Sequence, residues 1–427
     1  MTKWHDWDGT IRCNPSSIEY PTTEQEVVSI VQRALEQGTT LRVFGAGHSW
    51  SPLVKSDGIL INLDRLVVPP SIVGNLVTVS AGMRLRDLGP WLQQKGLALK
   101  NLGAITAQSI AGAVGTGTHG TGREFEVIGS QITSMRIVDG KGVARDVGSA
   151  TEMAAFRLSL GCLGVVVSVT IECVKDHSVE LLQIPMEFDE FLKKFEHLYV
   201  ENERVRAYWF PGSKRVFVNT MNTVQTPSKP GSIYPWFEAV VKRQVLMGAF
   251  WRLGSACEPL IPMLNGLQET IGYKRGKRLG RVFDAITTPM PPFHQEAEVA
   301  IPIEDGPAAV QAYGRLVRQK GYKVNVPSEI RFAHSDDILL SPGNGMKACY
   351  IGGYTATYRR NDPFFTDFYD MLKGDFRGRP HWGKIDAPDR KTAMAIYPGF
   401  TSFEKIRNQC DPQGVFANSY IKELFAL

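Results

Sequence analysis

Three groups of residues, widely separated in the 427-residue chain, have the types and spacings that chemistry uses. The first is Gly45-Ala46-Gly47-His48-Ser49, directly after the apolar run LRVF. Glycines at such a turn let backbone amides approach phosphate oxygens, and the Ser49 hydroxyl can add a donor. His48 is open to two readings: a buried, hydrogen-bonded turn histidine, or an imidazole bonded to a cofactor ring. The second group is Asn101 to Gly122, NLGAITAQSIAGAVGTGTHGTG, whose six glycines are explained by close approach of backbone to a ligand. Within it, Gly115-x-Gly117-x-x-Gly120 matches the dinucleotide fingerprint, but that turn must leave a hydrophobic strand and open an amphipathic helix. The segment GREFEVIGSQ that follows is no such helix. A nicotinamide site is therefore set aside in favour of a loop lying along an extended dinucleotide, with His119 read as structural or phosphate-contacting.

The third group is Glu329-Ile330-Arg331 together with Lys384. If PSEIRF is a strand, the two-residue period puts Glu329 and Arg331 on one face and Ile330 on the other. A surface ion pair would leave the same trace. RPHWGK is a rarer combination, in which an aromatic ring, a glycine and a lysine can present an ammonium in a partly enclosed pocket and stabilise developing negative charge.

These groups need elements to hold them. After Pro21, Thr23 and Glu26 have capping-box spacing, and Val27, Ile30, Val31, Ala34 and Leu35 recur at helical intervals until Gly38. LRVF, ILINLDRL, LVTVSAG, ITSMRIVDGKG and GVVVSVTIECV read as strands, with a hairpin turn at Asp139-Gly140. MRLRDLGPWLQQKGLALKNLG reads as a helix ended by Gly96. The first 175 residues are thus α+β. Beyond His177 strand and helix signals alternate, with a polar, Pro-containing surface loop at TVQTPSKPGSIYP.

Length favours two domains, each with its own core. Lys and Arg total 48 against 43 Asp and Glu, with no run of like charge, so nothing demands nucleic acid. Cys13, Cys162, Cys173, Cys257, Cys349 and Cys410 show neither a CxxC nor even spacing, which suggests no metal site and no disulfide framework. With no apolar leader in MTKWHDWDGT and no long uncharged apolar stretch, the chain reads as cytoplasmic. Residues 236–267 hold apolar clusters interrupted by Lys242, Arg243, Arg252 and Glu258; an internal helix pair is preferred there to a membrane- or partner-touching surface.

In this order the motifs resemble the aldonolactone oxidoreductase branch of the vanillyl-alcohol oxidase flavoprotein family, which includes gulonolactone oxidases and dehydrogenases and alditol oxidases. GAGHS, SIAGAVGTGTHGTG, SLGCLGVV, SEIRF followed by DDILLSP, and PHWGK with PGFTSFEKIRNQCDPQGVFANSY carry the resemblance over nearly the whole chain. It implies a two-domain α+β fold: an FAD-binding domain over 1–175, a substrate cap over 176–378, and a segment over 379–427 that returns to the first domain. It implies FAD bound covalently through His48, and contacts to FAD from Val43, Phe44, Gly45, Ala46, Gly47, Ser49, Gly103, Ser109, Gly112, Thr116, Gly117, Thr118, His119 and Val166. Glu329, Arg331 and Lys384 are placed at the reactive face, where a hydride leaves a hydroxyl-bearing carbon for flavin N5, Glu329 holds substrate hydroxyls and the cations stabilise the charge that develops. Alditol oxidases have serine where this chain has Ala104 and histidine at the catalytic position of Tyr350. CYIGGY is closer to the lactone-oxidising members, so a sugar 1,4-lactone is favoured over a polyol or a sugar- or nucleoside-bearing metabolite. In that family a small residue at the position of Gly103 lets oxygen reach the flavin, so the resemblance favours O2 over another redox acceptor.

Overall fold

Helix Glu24–Glu36 begins where the capping spacing predicts, with the Thr23 hydroxyl accepting from the Glu26 N–H. The Glu26 carboxylate accepts from the N–H of Thr22, one residue earlier than a capping box requires. Its apolar stripe of Val27, Ile30, Val31 and Ala34 is fully buried on strands Leu41–Phe44 and Ile59–Asn62. These strands and Ser17–Glu19 form a three-stranded parallel sheet with Ile59–Asn62 in the middle. In the computed structural model, residues 3–231, 233–234, 237–356, 363–385 and 387–427 are described.

A five-stranded antiparallel sheet follows, in the order Ala144–Val147, Ile132–Val138, Val165–Glu172, Leu76–Ser80, Ser71–Val73. Its first two strands form the hairpin expected at Asp139-Gly140, where Asp139 Oδ1 accepts from the N–H groups of Lys141 and Val143. Helix Leu85–Gln94 packs Leu85, Leu88 and Leu92 into the core beneath, and the chain turns at Gly96 with φ 71°.

The largest layer is an eight-stranded antiparallel sheet. Its centre runs Arg204–Trp209, Ser328–Ala333, Ala348–Ala356, His294–Pro302. Strand alternation gives this sheet two unlike faces. Val205, Ala207, Val299, Ile330 and Ile351 face helices Phe188–Glu201, Gly306–Lys320 and Pro363–Phe376 in one apolar core. The other face carries Arg206, His294, Glu296, Glu298, Glu329, Arg331, Tyr350 and Tyr354, and all of them are buried as well.

The helical run Phe237–Met247, Gly248–Ala256, Ile261–Gly272 buries Trp251, Ile261 and Leu264 but exposes Phe237, Val245, Leu253, Met263 and Leu267. The stretch foreseen as an internal helix pair is therefore helical with one open apolar side; Trp236 lies outside the described residues. No helix among the described residues is long and apolar enough to cross a membrane.

Arg42 ties three distant parts together. Its guanidinium, 2% exposed, donates to the carbonyls of Leu53 (2.6 Å), Leu160 (2.6 Å), Gly161 (2.8 Å) and Phe416 (2.7 Å). Asn418 adds donations to the carbonyls of Pro52, Leu53 and Lys55. Because Arg42 answers carbonyls and no carboxylate, burial pulls its pKa down to about 10, which leaves it charged at neutral pH. Replacing it orphans those carbonyls, each worth roughly 1–3 kcal/mol when buried unpaired. Arg42→Met is expected to lower the unfolding free energy by at least about 3 kcal/mol, read as a lower urea midpoint in equilibrium denaturation.

Candidate active site

Two cavities meet at His48, Ser49, Gln108 and Thr116, which line both. The first is walled by Val43 through Ser49 on one side and by Ser109, Gly112, Thr116 and Val166 on the other. Gly82 and, from the SLGCLGVV motif, Leu160, Gly161 and Gly164 also line it, though the sequence reading named none of them as a cofactor contact. The small residues leave no slack: a Cβ on Gly45 would sit 2.3 Å from Ser109 Oγ, and one on Gly112 would sit 2.9 Å from the same atom. Ser109 Oγ is fixed by accepting from the Gly112 N–H at the start of helix Ile110–Gly115. Among the described residues, the N–H groups of Ala46, Gly47, His48 and Ser49 have no hydrogen-bond acceptor. A turn of small residues with unanswered amides is what an anionic phosphate chain fills.

The second cavity lies between the first half of the chain and the polar face of the large sheet. Gly103, Thr118, His119, Glu329, Arg331 and Lys384 line it, so the distant motifs do converge. Glu296, Glu298, His294 and His381, unmarked in the sequence reading, line it too. Gly117 is in neither wall: with φ 75° it turns the chain, and its carbonyl accepts from His381 Nε2 at 3.2 Å. Tyr350 also stands outside the walls, stacked behind His119 with ring centroids 3.6 Å apart. Its hydroxyl is buried with no hydrogen-bond partner among the described residues, and burial pushes the phenol well above its ordinary pKa.

Arg331 pairs with Glu298, and its Nε lies 3.7 Å from Glu329 Oε2. Arg206 lies 3.5 Å from Glu329 on the other side, and the Tyr354 hydroxyl donates to Glu329 at 3.4 Å. Lys384 pairs with Glu296 and sits 4.8 Å above the Trp50 ring. Burial pushes Glu296 up against the pull of Lys384, whereas Arg331 and His119 outweigh burial at Glu298 and hold it well below the carboxylate range. The His119 ring lies between two acceptors, with Nδ1 2.9 Å from the Gly120 carbonyl and Nε2 3.3 Å from Glu298. The Gly120 carbonyl can only accept, so the proton of the neutral His119 ring sits on Nδ1, and Nε2 stands in ion-pair range of Glu298.

His119, Glu298 and His381 bring ligand-type atoms within 4.8 Å of one another. Both nitrogens of His381 are already engaged, Nε2 with Gly117 and Nδ1 as acceptor of the Gly383 N–H, and Glu298 is held by Arg331. The set works as a hydrogen-bonded network and not as a cation cage. The PHWGK turn rests on the first loop, with the Trp50 N–H donating to the Gly383 carbonyl at 2.9 Å. His48 faces the junction, 5.0 Å from the Trp7 ring, and burial, then Lys384, His294 and Arg84, hold its pKa down to about 4.

Residues 15–148 match the FAD binding domain family, and residues 169–424 match the D-arabinono-1,4-lactone oxidase family. The chain belongs to the aldonolactone oxidoreductases. The L-gulono-1,4-lactone dehydrogenase of Mycobacterium tuberculosis is 30% identical over 99% of this chain and 98% of its own. The L-gulonolactone oxidase of Scyliorhinus torazame is 31% identical over the same shares. A D-arabinono-1,4-lactone oxidase from Eremothecium gossypii is 28% identical over 96% of this chain and 93% of its own. Among solved structures, cholesterol oxidase from B. sterolicum superposes with a TM-score of 0.83 at 17% identity, covering 99% of this chain and 96% of that one. That likeness fixes the fold as the two-domain α+β arrangement of the vanillyl-alcohol oxidase flavoproteins. This aldonolactone oxidoreductase is thus an FAD-dependent enzyme acting on CH–OH groups.

The residues present fit FAD: free amides and a glycine-lined trough for the diphosphate, and a wider chamber with charged walls beyond His48. Gly45→Ala, which places a methyl against Ser109, is expected to yield folded protein without flavin absorbance. Gly266→Ala, where a Cβ meets nothing within 4 Å, is expected to keep the flavin-to-protein absorbance ratio of the wild type.

Proposed function

We propose that the enzyme oxidises a hydroxyl-bearing carbon of a sugar 1,4-lactone of the gulono, galactono or arabinono type, with FAD held covalently through His48. The observation that carries this reading is the convergence of Glu329, Arg331 and Lys384 on one cavity wall that continues into the glycine-lined trough. FAD supplies the acceptor for the hydride and a route for its electrons to O2 or another redox acceptor. The protein supplies binding and electrostatics. Glu329, fixed by Arg206, Arg331 and the Tyr354 hydroxyl, accepts hydrogen bonds from substrate hydroxyls. Arg331 and Lys384 stabilise negative charge as it develops on the substrate oxygen, in a chamber where low polarisability strengthens each contact. Tyr350, behind His119, fixes that ring instead of meeting the substrate.

We assign 1–175 to FAD binding, 176–378 to the substrate cap and 379–427 to the returning segment. The returning segment begins on the cap sheet, where strand Arg379–Pro380 pairs with His294–Pro302. O2 is the proposed acceptor, supported by the bare Gly103 wall, where a Cβ would crowd Thr118 Cγ2 at 2.9 Å. A second reading, oxidation of a sugar carried on a larger apolar metabolite, is favoured by the outer chamber, where Met247, Trp251, Tyr273 and Met290 form the lining.

Three outcomes are expected. After acid precipitation the yellow colour stays in the wild-type pellet and passes to the supernatant in His48→Ala; colour released from both leaves FAD bound non-covalently. Aldono-1,4-lactones bleach the flavin anaerobically, and faster than alditols; bleaching only by glycosides with an apolar aglycone supports the second reading. In Gly103→Ala, reoxidation by O2 in stopped flow slows at least tenfold, whereas reduction by the lactone keeps its rate.

A further inference from the structure

Oxidation of an alcohol releases a proton as well as a hydride, and most side chains in the chamber are unable to take it. Lys384 and Glu296 are tied to each other. Glu298 is held by Arg331 and His119, and Glu329 by two guanidiniums and Tyr354. Both ring nitrogens of His381 are bonded, and both of His119 face acceptors.

His294 differs. Its Nδ1 lies 2.8 Å from the Pro292 carbonyl, which can only accept, so the proton of the neutral ring is on Nδ1. Nε2, on the opposite edge, keeps its lone pair and has no partner among the described residues. The ring lines the chamber, 7% exposed, within a collar of Trp7, Trp50, Trp251 and Tyr354 at centroid distances of 5.5, 5.5, 6.1 and 5.7 Å. An imidazole set among aromatic rings on the chamber wall, with one nitrogen unanswered, can accept a hydrogen bond from a ligand donor. The Pro292 hydrogen bond fixes the tautomer, as a second partner does for a working histidine.

We propose that His294 is the general base of the reaction. The substrate O–H bond breaks as its proton passes to His294 Nε2, the C–H bond breaks as its electron pair leaves as hydride to FAD, and the C=O bond forms between them. The inference rests on the proposed alcohol-oxidising function. Burial keeps the free ring unprotonated down to about pH 4, and of the charges facing it Lys384 acts in the same sense while Asp8 and Glu329 act against it. The ring lies against Trp7, which also contacts His48, so it stands at the end of the chamber where the two cavities meet.

The test uses the flavin-loaded enzyme. His294→Gln keeps an acceptor near the Nε2 position but takes no proton. Its lactone Kd, from the perturbation of the flavin spectrum, is expected within threefold of wild type, while anaerobic flavin reduction slows about 10²–10⁴-fold, the usual worth of a general base. His294→Ala is expected to be equally slow and to recover at least tenfold with added imidazole. In 15N-histidine NMR of the wild type, His294 gives the pattern of a ring protonated on Nδ1 alone, and its Nε2 resonance moves on lactone binding. Reduction of His294→Gln at the wild-type rate, an Nε2-protonated ring, or slow variants that imidazole leaves unchanged overturns the assignment. A wild type that no lactone or polyol bleaches overturns the functional reading itself, which the wild-type arm alone reports.

Discussion

Charge is not buried singly, because an ion taken out of water without a partner costs several kcal/mol. The large sheet obeys this on the face that closes the chamber: Arg331 answers Glu298, Lys384 answers Glu296, and Arg206 lies against Glu329. Register makes these pairs. Arg331 lies opposite both Arg206 and Tyr350, Glu298 opposite Gly352, and Glu296 opposite Tyr354. A slip of one residue on any of these strands would turn its charged side chains into the apolar core beneath the helices. The apolar face therefore locks the strands, and the locked strands fix where each charge stands.

The trough beyond His48 obeys a different rule, that of backbone approach. Ser109 fills the space that a side chain on Gly45 or Gly112 would need, so small residues are required on both sides of the same gap. Arg42, on the strand that leads into this loop, fastens Leu160 and Gly161 to Phe416, while Gly383 receives the Trp50 N–H from above. The loop is held through its strand by a guanidinium and from above by the PHWGK turn.

Much of this was legible in the sequence because the signals were local. A capping spacing, an apolar strand running into glycines, and the two-residue period of PSEIRF each need only a few neighbouring residues, and helix Glu24–Glu36 and strand Ser328–Ala333 appear where they were expected. Glu296 and Glu298 were missed because HQEAEVAIP alternates acidic and apolar residues like any strand with one wet side. Only the sheet order, which brings His294–Pro302 beside Ala348–Ala356, reveals that the acidic side is dry. His119 was named from its motif, but its pairing was not foreseen for a related reason: its partner Glu298 is distant in sequence and unrelated by spacing. The segment around 236–267 was ambiguous because its apolar residues are divided between a buried and an open side, which composition does not separate.

The joining of distant segments has a consequence for the order of events in the cell. The glycine-rich loop lies at residues 45–49, but the turn that rests on it and the carbonyl that completes the Arg42 clasp come from Gly383 and Phe416, far downstream. A ribosome delivers these parts after the loop, and N-terminal regions otherwise begin to fold as they emerge. The loop over 45–49 is therefore clasped only once Gly383 and Phe416 are in place, so its shape reports whether the distant downstream part of the fold has formed.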